Sequence, residues 1–310
     1  MRLCTVSTAE IPAFFGIDLG KRILRVAQAG AAFGLSDADL ARVASTKAYF
    51  ENLPQSEKIL RRILKGITET PKAVGRPAAD GHPHLLNAAD VTHLPPIERP
   101  GKILCIGLNY RDHCEEQNKE IPKKPMAFNK FATSLRGHGA EITLPHKVDK
   151  NIDFEAELAV IIGKTARRVT KRTALKHVGG YTIMNDVSAR TLQANEKQWS
   201  RAKGFDGSGP CGPIIVTPDE IPDPHALAIS CHVNGKKMQD SNTSNLIFNI
   251  PELISWVSQM ITLEPGDMIS TGTPGGVGVY RNPPVFLASG DIVEVKIDRI
   301  GTLRNTFVSG

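Results

Sequence analysis

Two glutamates, Glu155 and Glu157, head the apolar run Leu-Ala-Val-Ile-Ile in the segment DFEAELAVII. On a strand alternate side chains share a face, so the two carboxylates point the same way. At the head of a buried strand they repel each other and are costly to desolvate, so either one is protonated or a cation lies between them. Oxygen-only ligands select Mg²⁺, Mn²⁺ or Ca²⁺ over zinc. A solvated strand edge would show the same spacing, and spacing alone does not choose. Asp186 closes a second apolar stretch, Gly-Gly-Tyr-Thr-Ile-Met-Asn-Asp. It is either a third acidic group or a helix N-cap. Arg190 and Gln193 follow it on a short helix.

Three further segments carry reactive side chains. In Gly107-Leu-Asn-Tyr-Arg-Asp-His113-Cys-Glu-Glu116, His113 and Glu116 become neighbours if the chain turns helically. A carboxylate that fixes one ring nitrogen leaves the other free as a base, although a plain surface His–Glu contact has the same spacing. Cys114 beside His113 diverges from it on a helix, which disfavours a thiol–imidazole pair. Lys203 lies in a glycine-rich stretch, AKGFDGSGPCGP, expected to be a loop. Ser270-Thr-Gly-Thr273-Pro-Gly-Gly-Val-Gly278 lacks the GKS/GKT ending of a nucleotide-binding loop. It fits a tight turn of backbone amides able to hold a carboxylate.

The elements that must position these groups change texture near residue 100. Ahead of it, Arg2 to Val6 and Ile23 to Ala27 read as short strands. A helix runs from the N-cap Ser36 to about Leu53, and another spans Ser56 to Ile67. Residues 70 to 102 are full of prolines and read as a surface connection. Beyond it, apolar strand-like runs recur between turn signals: Ile103 to Gly107, Glu157 to Ile162, Tyr181 to Met184, Ile214 to Val216, Leu227 to Val233, Met268 to Thr271 and Ile292 to Ile297. Asn234-Gly235 is a hairpin signal. Only two helices interrupt, Thr173 to Val178 and Pro251 to Met260. The pattern is α+β with a domain boundary near residue 100: a small α/β N-terminal domain over residues 1–100, then a β-rich roll or sandwich forming the catalytic domain over residues 101–310.

Composition narrows the class. With 41% hydrophobic and 23% charged residues the chain is an ordinary globular protein. The net charge of +6 is scattered; the densest basic clusters, Lys58 to Lys65 and Lys164 to Lys176, have the spacing of solvated faces rather than of a nucleic-acid patch. A mild attraction for anionic substrates remains. Five cysteines without a CxxC argue against a disulfide framework and for a reducing compartment. No apolar window reaches the length of a membrane span. The N-terminus shows neither secretory nor transit character, so the expected location is cytoplasmic.

Taken together, CIGLNYRDHCEE, DFEAELAVIIGK, GGYTIMNDVSAR, AKGFDGSGPCGP and ISTGTPGGVG resemble the fumarylacetoacetate hydrolase superfamily, in the family's order, over roughly residues 102 to 308. The NTSNLIFNIPELISWVSQMITLEPGD block and FNKFATS resemble its branch called fumarylacetoacetate hydrolase domain-containing protein 2. The resemblance implies that Glu155, Glu157 and Asp186 hold Mg²⁺ or Mn²⁺, with Ca²⁺ an in-vitro substitute. It makes His113 and Glu116 a catalytic dyad on a lid and puts Lys203 beside the metal. Arg190, Gln193, Thr273 and Lys130 would contact substrate. Phe131 follows Lys130 where relatives often have proline. Leu108, Thr191 and Gly204 also depart from common family residues, and none of these changes touches a ligand or the dyad.

The implied activity is metal-dependent chemistry on small 2-oxo or 1,3-diketo acids, first of all C–C hydrolysis of an acylpyruvate-type substrate. Oxaloacetate tautomerisation or decarboxylation is the alternative, and a non-catalytic binding paralogue is the rival from another class. The expected partners are a 2-oxo acid and a second copy of the chain, with neither nucleic acid nor membrane.

Overall fold

The structure is a computed structural model that describes residues 1–310. Its centre is a twelve-stranded mixed sheet, through which the strands Gly209–Val216, Val178–Asn185, Ala156–Ile162, Met268–Ser270, Ile103–Gly107 and Met126–Lys130 run side by side. Every residue of Ala156–Ile162 is buried, because both faces of that strand are covered. Ala156, Leu158, Val160 and Ile162 join one apolar cluster, while Ala159 and Ile161 join another. The first cluster takes in Ile229, Val295, Leu303 and Phe307 of a second, five-stranded sheet. The second takes in Tyr49, Phe50, Leu60 and Ile63 from the helices of the first hundred residues. The molecule thus has three layers: N-terminal helices, large sheet, small sheet.

Residues 1–100 enter the large sheet directly. The strand Arg2–Ser7 pairs antiparallel with Gly209–Val216, matching Leu3 with Ile215. The strands Phe14–Asp18, Arg22–Arg25 and Leu85–Asn87 extend the sheet outward from there. Three local expectations need correction. The chain turns helical at Val26 rather than continuing as a strand. The helix expected from Ser36 to Leu53 is two helices, Asp37–Arg42 and Thr46–Glu51. Ser45 interrupts it: its hydroxyl accepts the Ala48 N–H and starts a second helix, as serine favours caps over helix interiors. The proline-rich stretch also carries two short strands, Leu85–Asn87 and Thr92–His93. Asn234 and Gly235, both at positive φ, form the expected hairpin turn between Ala228–Val233 and Lys236–Asn242.

Candidate active site

Two adjacent strands set the floor of the site. In the ladder between Ala156–Ile162 and Val178–Asn185, Ala156 faces Asn185 and Glu157 faces Met184. Asp186, one residue past its strand, donates its N–H to the Glu155 carbonyl at 2.9 Å. This register brings one carboxylate oxygen each from Glu155, Glu157 and Asp186 within 4.8 Å of one another. All three side chains are buried.

Three cations surround them, Lys203 and Lys130 buried and Arg190 partly so. Lys203 Nζ donates to Glu155 at 2.6 Å and to Asp186 at 3.1 Å. Lys130 Nζ donates to the other Asp186 oxygen at 2.6 Å and to the Lys203 carbonyl. Arg190 lies 2.7 Å from Glu155 and 2.8 Å from Asp153, and donates to Gln193 Oε1 at 2.9 Å. Four buried carboxylates, counting Asp153, therefore meet three cations, and the unmatched charge falls on Glu157. It has only the Ser270 hydroxyl at 2.5 Å and the Gly272 N–H at 3.1 Å. Burial, followed by the charges of Asp186 and Glu155, drives its carboxyl well above the usual range. Burial works in the same direction on Glu155, but Lys203, Arg190 and His113 outweigh it and hold that group at about 2. Burial lowers Lys203, and the facing carboxylates Asp186 and Glu155 more than restore it, leaving it raised. An oxygen-only trio with one uncompensated member fits a hard divalent cation.

The loop after the strand Met268–Ser270 is lined with amides, as expected, and the carboxylates it holds belong to the protein. Gly272 N–H serves Glu157, Gly275 N–H serves Asp112 at 3.2 Å, and Gly276 N–H serves Glu116 at 2.6 Å. Gly278 and Val279 N–H both serve Asp153, at 2.8 and 3.0 Å. Glycine is required at two of these positions. Gly276 has φ +100°, and a Cβ on Gly278 would collide with the Val285 carbonyl.

Above the floor sits the short helix Arg111–Glu116. His113 Nδ1 lies 2.5 Å from Glu116 Oε1, so the dyad forms and Nε2 is left free. Tyr280 packs its ring edge-on to His113, with centroids 6.1 Å apart. Asn109 anchors the entry to this helix by bonding Thr271 and Phe248 with both ends of its amide. Between helix and floor lies a cavity of about 500 Å³ whose wall includes His113, Glu155, Glu157, Arg190, Gln193, Lys203 and Thr273. Its apolar side is formed by Leu108, Met126, Phe128 and Trp199.

Lys203 is on a helix, Ser200–Gly204, not in the loop expected from its glycines. The helix packs against the strand Met126–Lys130, and Gly204 makes room for the Phe131 ring. Lys130, expected to contact substrate, stands behind Asp186, 3% exposed and outside the cavity lining, and donates to Asp186 and to the Lys203 carbonyl. Asp153, Asp112 and Gln239 were not singled out in the sequence, yet each joins segments far apart in the chain. Asp153 offered one signal, its position two residues before Glu155 on the same face. Asp112 and Gln239 offered none.

No helix is long and apolar enough to cross a membrane. A model of the fumarylacetoacetate (FAA) hydrolase C-terminal family matches residues 102–308. The human protein named oxaloacetate tautomerase FAHD2A, mitochondrial, is 43% identical over 281 residues, 90% of this chain and 88% of that one. The Xenopus laevis protein named oxaloacetate tautomerase fahd2, mitochondrial, is 44% identical over 89% of this chain and 85% of its own. Among solved structures, a fumarylacetoacetate hydrolase from Exiguobacterium antarcticum superposes with a TM-score of 0.79 at 31% identity, all of both chains being covered. A maleylpyruvate hydrolase from Sphingobium does so with a TM-score of 0.77 at 27% identity, again over all of both chains.

Proposed function

The chain belongs to the fumarylacetoacetate hydrolase family, and on that premise we propose that it is a metal-dependent tautomerase of small 2-oxo dicarboxylic acids of the oxaloacetate type. The C–C hydrolysis expected first from the sequence gives way to its alternative. Relatives bearing the tautomerase name are 43% and 44% identical over about nine tenths of the chain, whereas the solved structures named as hydrolases are 31% and 27% identical.

The observation that carries the reading is that His113, paired with Glu116, lines the same cavity as Glu155 and Glu157, with Asp186 clustered beside the two glutamates. Tautomerisation breaks a C3–H bond and forms an O–H bond on the 2-oxo oxygen, with no water consumed. His113 Nε2 is the free base of the dyad and takes the C3 proton, while Glu116 fixes the ring through Nδ1 and balances the imidazolium that forms. The same imidazolium returns the proton to oxygen. A Mg²⁺ or Mn²⁺ ion held by Glu155, Glu157 and Asp186 would supply Lewis-acid stabilisation of the negative charge at the 2-oxo group. Lys203 adds a fixed positive charge beside that charge. Arg190, Gln193 and Thr273 receive the carboxylate end of the substrate. Lys130 orients Asp186 from behind.

The test follows the decay of enol-oxaloacetate with Mg²⁺ or Mn²⁺, alongside an acylpyruvate cleavage assay. Faster keto–enol exchange with slow or absent cleavage is expected. Efficient cleavage without any acceleration of the exchange would return the protein to the hydrolases. A homodimer, which the family resemblance implies, is also proposed. Light scattering is expected to give twice the 33.6 kDa chain mass, and a monomer at micromolar concentration counts against it.

A further inference from the structure

Gln239 lies on the strand Lys236–Asn242 of the small sheet, is 1% exposed, and reaches across to both halves of the site. Its Oε1 accepts the N–H of Ala156, between Glu155 and Glu157, at 2.9 Å. Its Nε2 donates to Thr273 Oγ1 at 2.8 Å and to the Pro274 carbonyl at 2.8 Å. These partners fix which way the amide faces. A backbone N–H can only donate and a backbone carbonyl can only accept, so oxygen must face Ala156 and nitrogen must face Pro274.

One consequence reaches the substrate. Both Nε2 protons are committed, and the Thr273 hydroxyl must accept one of them. Its own proton then has to leave in another direction. Thr273 is 4% exposed, lines the cavity, and has no protein acceptor for that proton. We propose that Gln239 is a positioning residue that fixes Thr273 as a hydrogen-bond donor into the cavity, so that the site selects the carboxylate end of its substrate over a hydroxyl or ammonium group there. This rests on the reading of the site as one for 2-oxo acids. A threonine free to rotate would offer a donor or an acceptor indifferently. With Gln239 behind it, only the donor is presented, and an anionic oxygen gains most from it.

Gln239→Glu tests the donor sense at almost constant shape. One carboxylate oxygen still accepts from Ala156, but the other accepts where the amide donated and draws the Thr273 proton away from the cavity. Thr273→Val removes the hydroxyl at similar volume. Oxalate affinity by calorimetry with Mg²⁺, and KM and kcat for oxaloacetate tautomerisation, are measured for both variants and for their combination. Each single change is expected to weaken oxalate and raise KM about ten-fold, the scale of one charge-assisted hydrogen bond, with kcat little altered. The combination is expected to bind no worse than Thr273→Val alone, since Gln239 acts through that hydroxyl. Unchanged oxalate affinity in Gln239→Glu overturns the inference, and so do losses that multiply in the combination, because packing alone would produce them. If Gln239→Glu does not fold, Gln239→Met, which has no donor, goes through the same cycle with the same expected coupling. Wild-type protein that neither binds oxalate nor turns over oxaloacetate overturns the functional reading and this inference with it. Normal wild-type behaviour beside an indifferent Gln239→Glu overturns this inference only.

Discussion

The floor of the cavity and its lid are held in place by different physics. Glu155, Glu157 and Asp186 sit on or beside two strands paired along seven registered positions, with apolar layers on both faces. Asp186 is 0% and Lys203 2% exposed, so the charges there are compensated chiefly by one another. The lid is a six-residue helix tied down by Asp112 and Glu116 on loop amides, by Arg111 on the Leu246 carbonyl, and by the buried Cys114. Floor geometry is over-determined by the fold, whereas lid geometry depends on a few replaceable polar bonds. Substitutions in the floor should therefore change stability and activity together, and substitutions in the lid should change activity alone.

The largest effect is expected at the floor. Glu155→Ala, Glu157→Ala or Asp186→Ala should each abolish measurable Mn²⁺ binding in calorimetry and, with it, metal-dependent turnover. Unaltered Mn²⁺ affinity in any one of them removes that residue from the metal site. Next comes His113→Ala in the lid, with a loss of about a hundred- to ten-thousand-fold in tautomerisation. Oxalate affinity should survive, because the floor, Arg190 and Gln193 remain, and the melting temperature should hardly move. Oxaloacetate decarboxylation, measured on the same variant, should fall less than tautomerisation, since losing CO₂ requires no C3 proton to be abstracted. Equal retention of both activities would mean that His113 has no part in the chemistry.

Lys130→Ala sharpens the contrast from the floor side. It removes one of the two cations bonded to Asp186, and breaking a buried pair in this way costs about 3–5 kcal/mol. Chemical denaturation should show a loss of that order, against almost none for His113→Ala. Equal stability losses in the two variants would erase the distinction between floor and lid.

The floor was the more legible region for the same reason that it is rigid. Strand periodicity placed Glu155 and Glu157 on one face, and the apolar run that follows marked the strand as buried. Spacing raised the His113–Glu116 pair, and the helix Arg111–Glu116 brings it together. Local patterns do not reveal which distant segments meet. Nothing near Asp112 points to Ser241 or Gly275, and nothing near Gln239 points to Ala156 or Thr273. The glycines of Ser270 to Gly278 announced a carboxylate-binding turn but not whose carboxylates it holds. Lys203 misled because glycine-rich composition suggests a loop, while packing of Ser200–Gly204 against Met126–Lys130 overrides that weak propensity.

The smallest effect is expected from Asp112, and it bears most directly on the lid. Its Oδ1 accepts the Gly275 N–H at 3.2 Å, and its Oδ2 accepts the Ser241 hydroxyl at 2.5 Å and the Asn245 amide at 3.5 Å. One side chain thus ties the helix to both the glycine loop and the small sheet, immediately before His113. It is not among the residues lining the cavity, so its effect on activity is expected to run through the position of the helix Arg111–Glu116. Asp112→Ala removes these bonds but leaves the one between Glu116 and Gly276. A hydrogen bond to a charged group contributes about 1.5–3 kcal/mol, and at this partly exposed position water replaces most of what the three bonds supply, so the net loss is that of about one bond at the low end and kcat should fall about ten-fold. Hydrogen exchange separates this from general damage. Amides of Arg111–Glu116 should exchange faster in the variant, while those of Ala156–Ile162 keep their protection. If the strand amides accelerate as well, Asp112 belongs to the structural frame. If neither segment changes while kcat still falls, the side chain takes part in the reaction itself, and the latch is the wrong description of it.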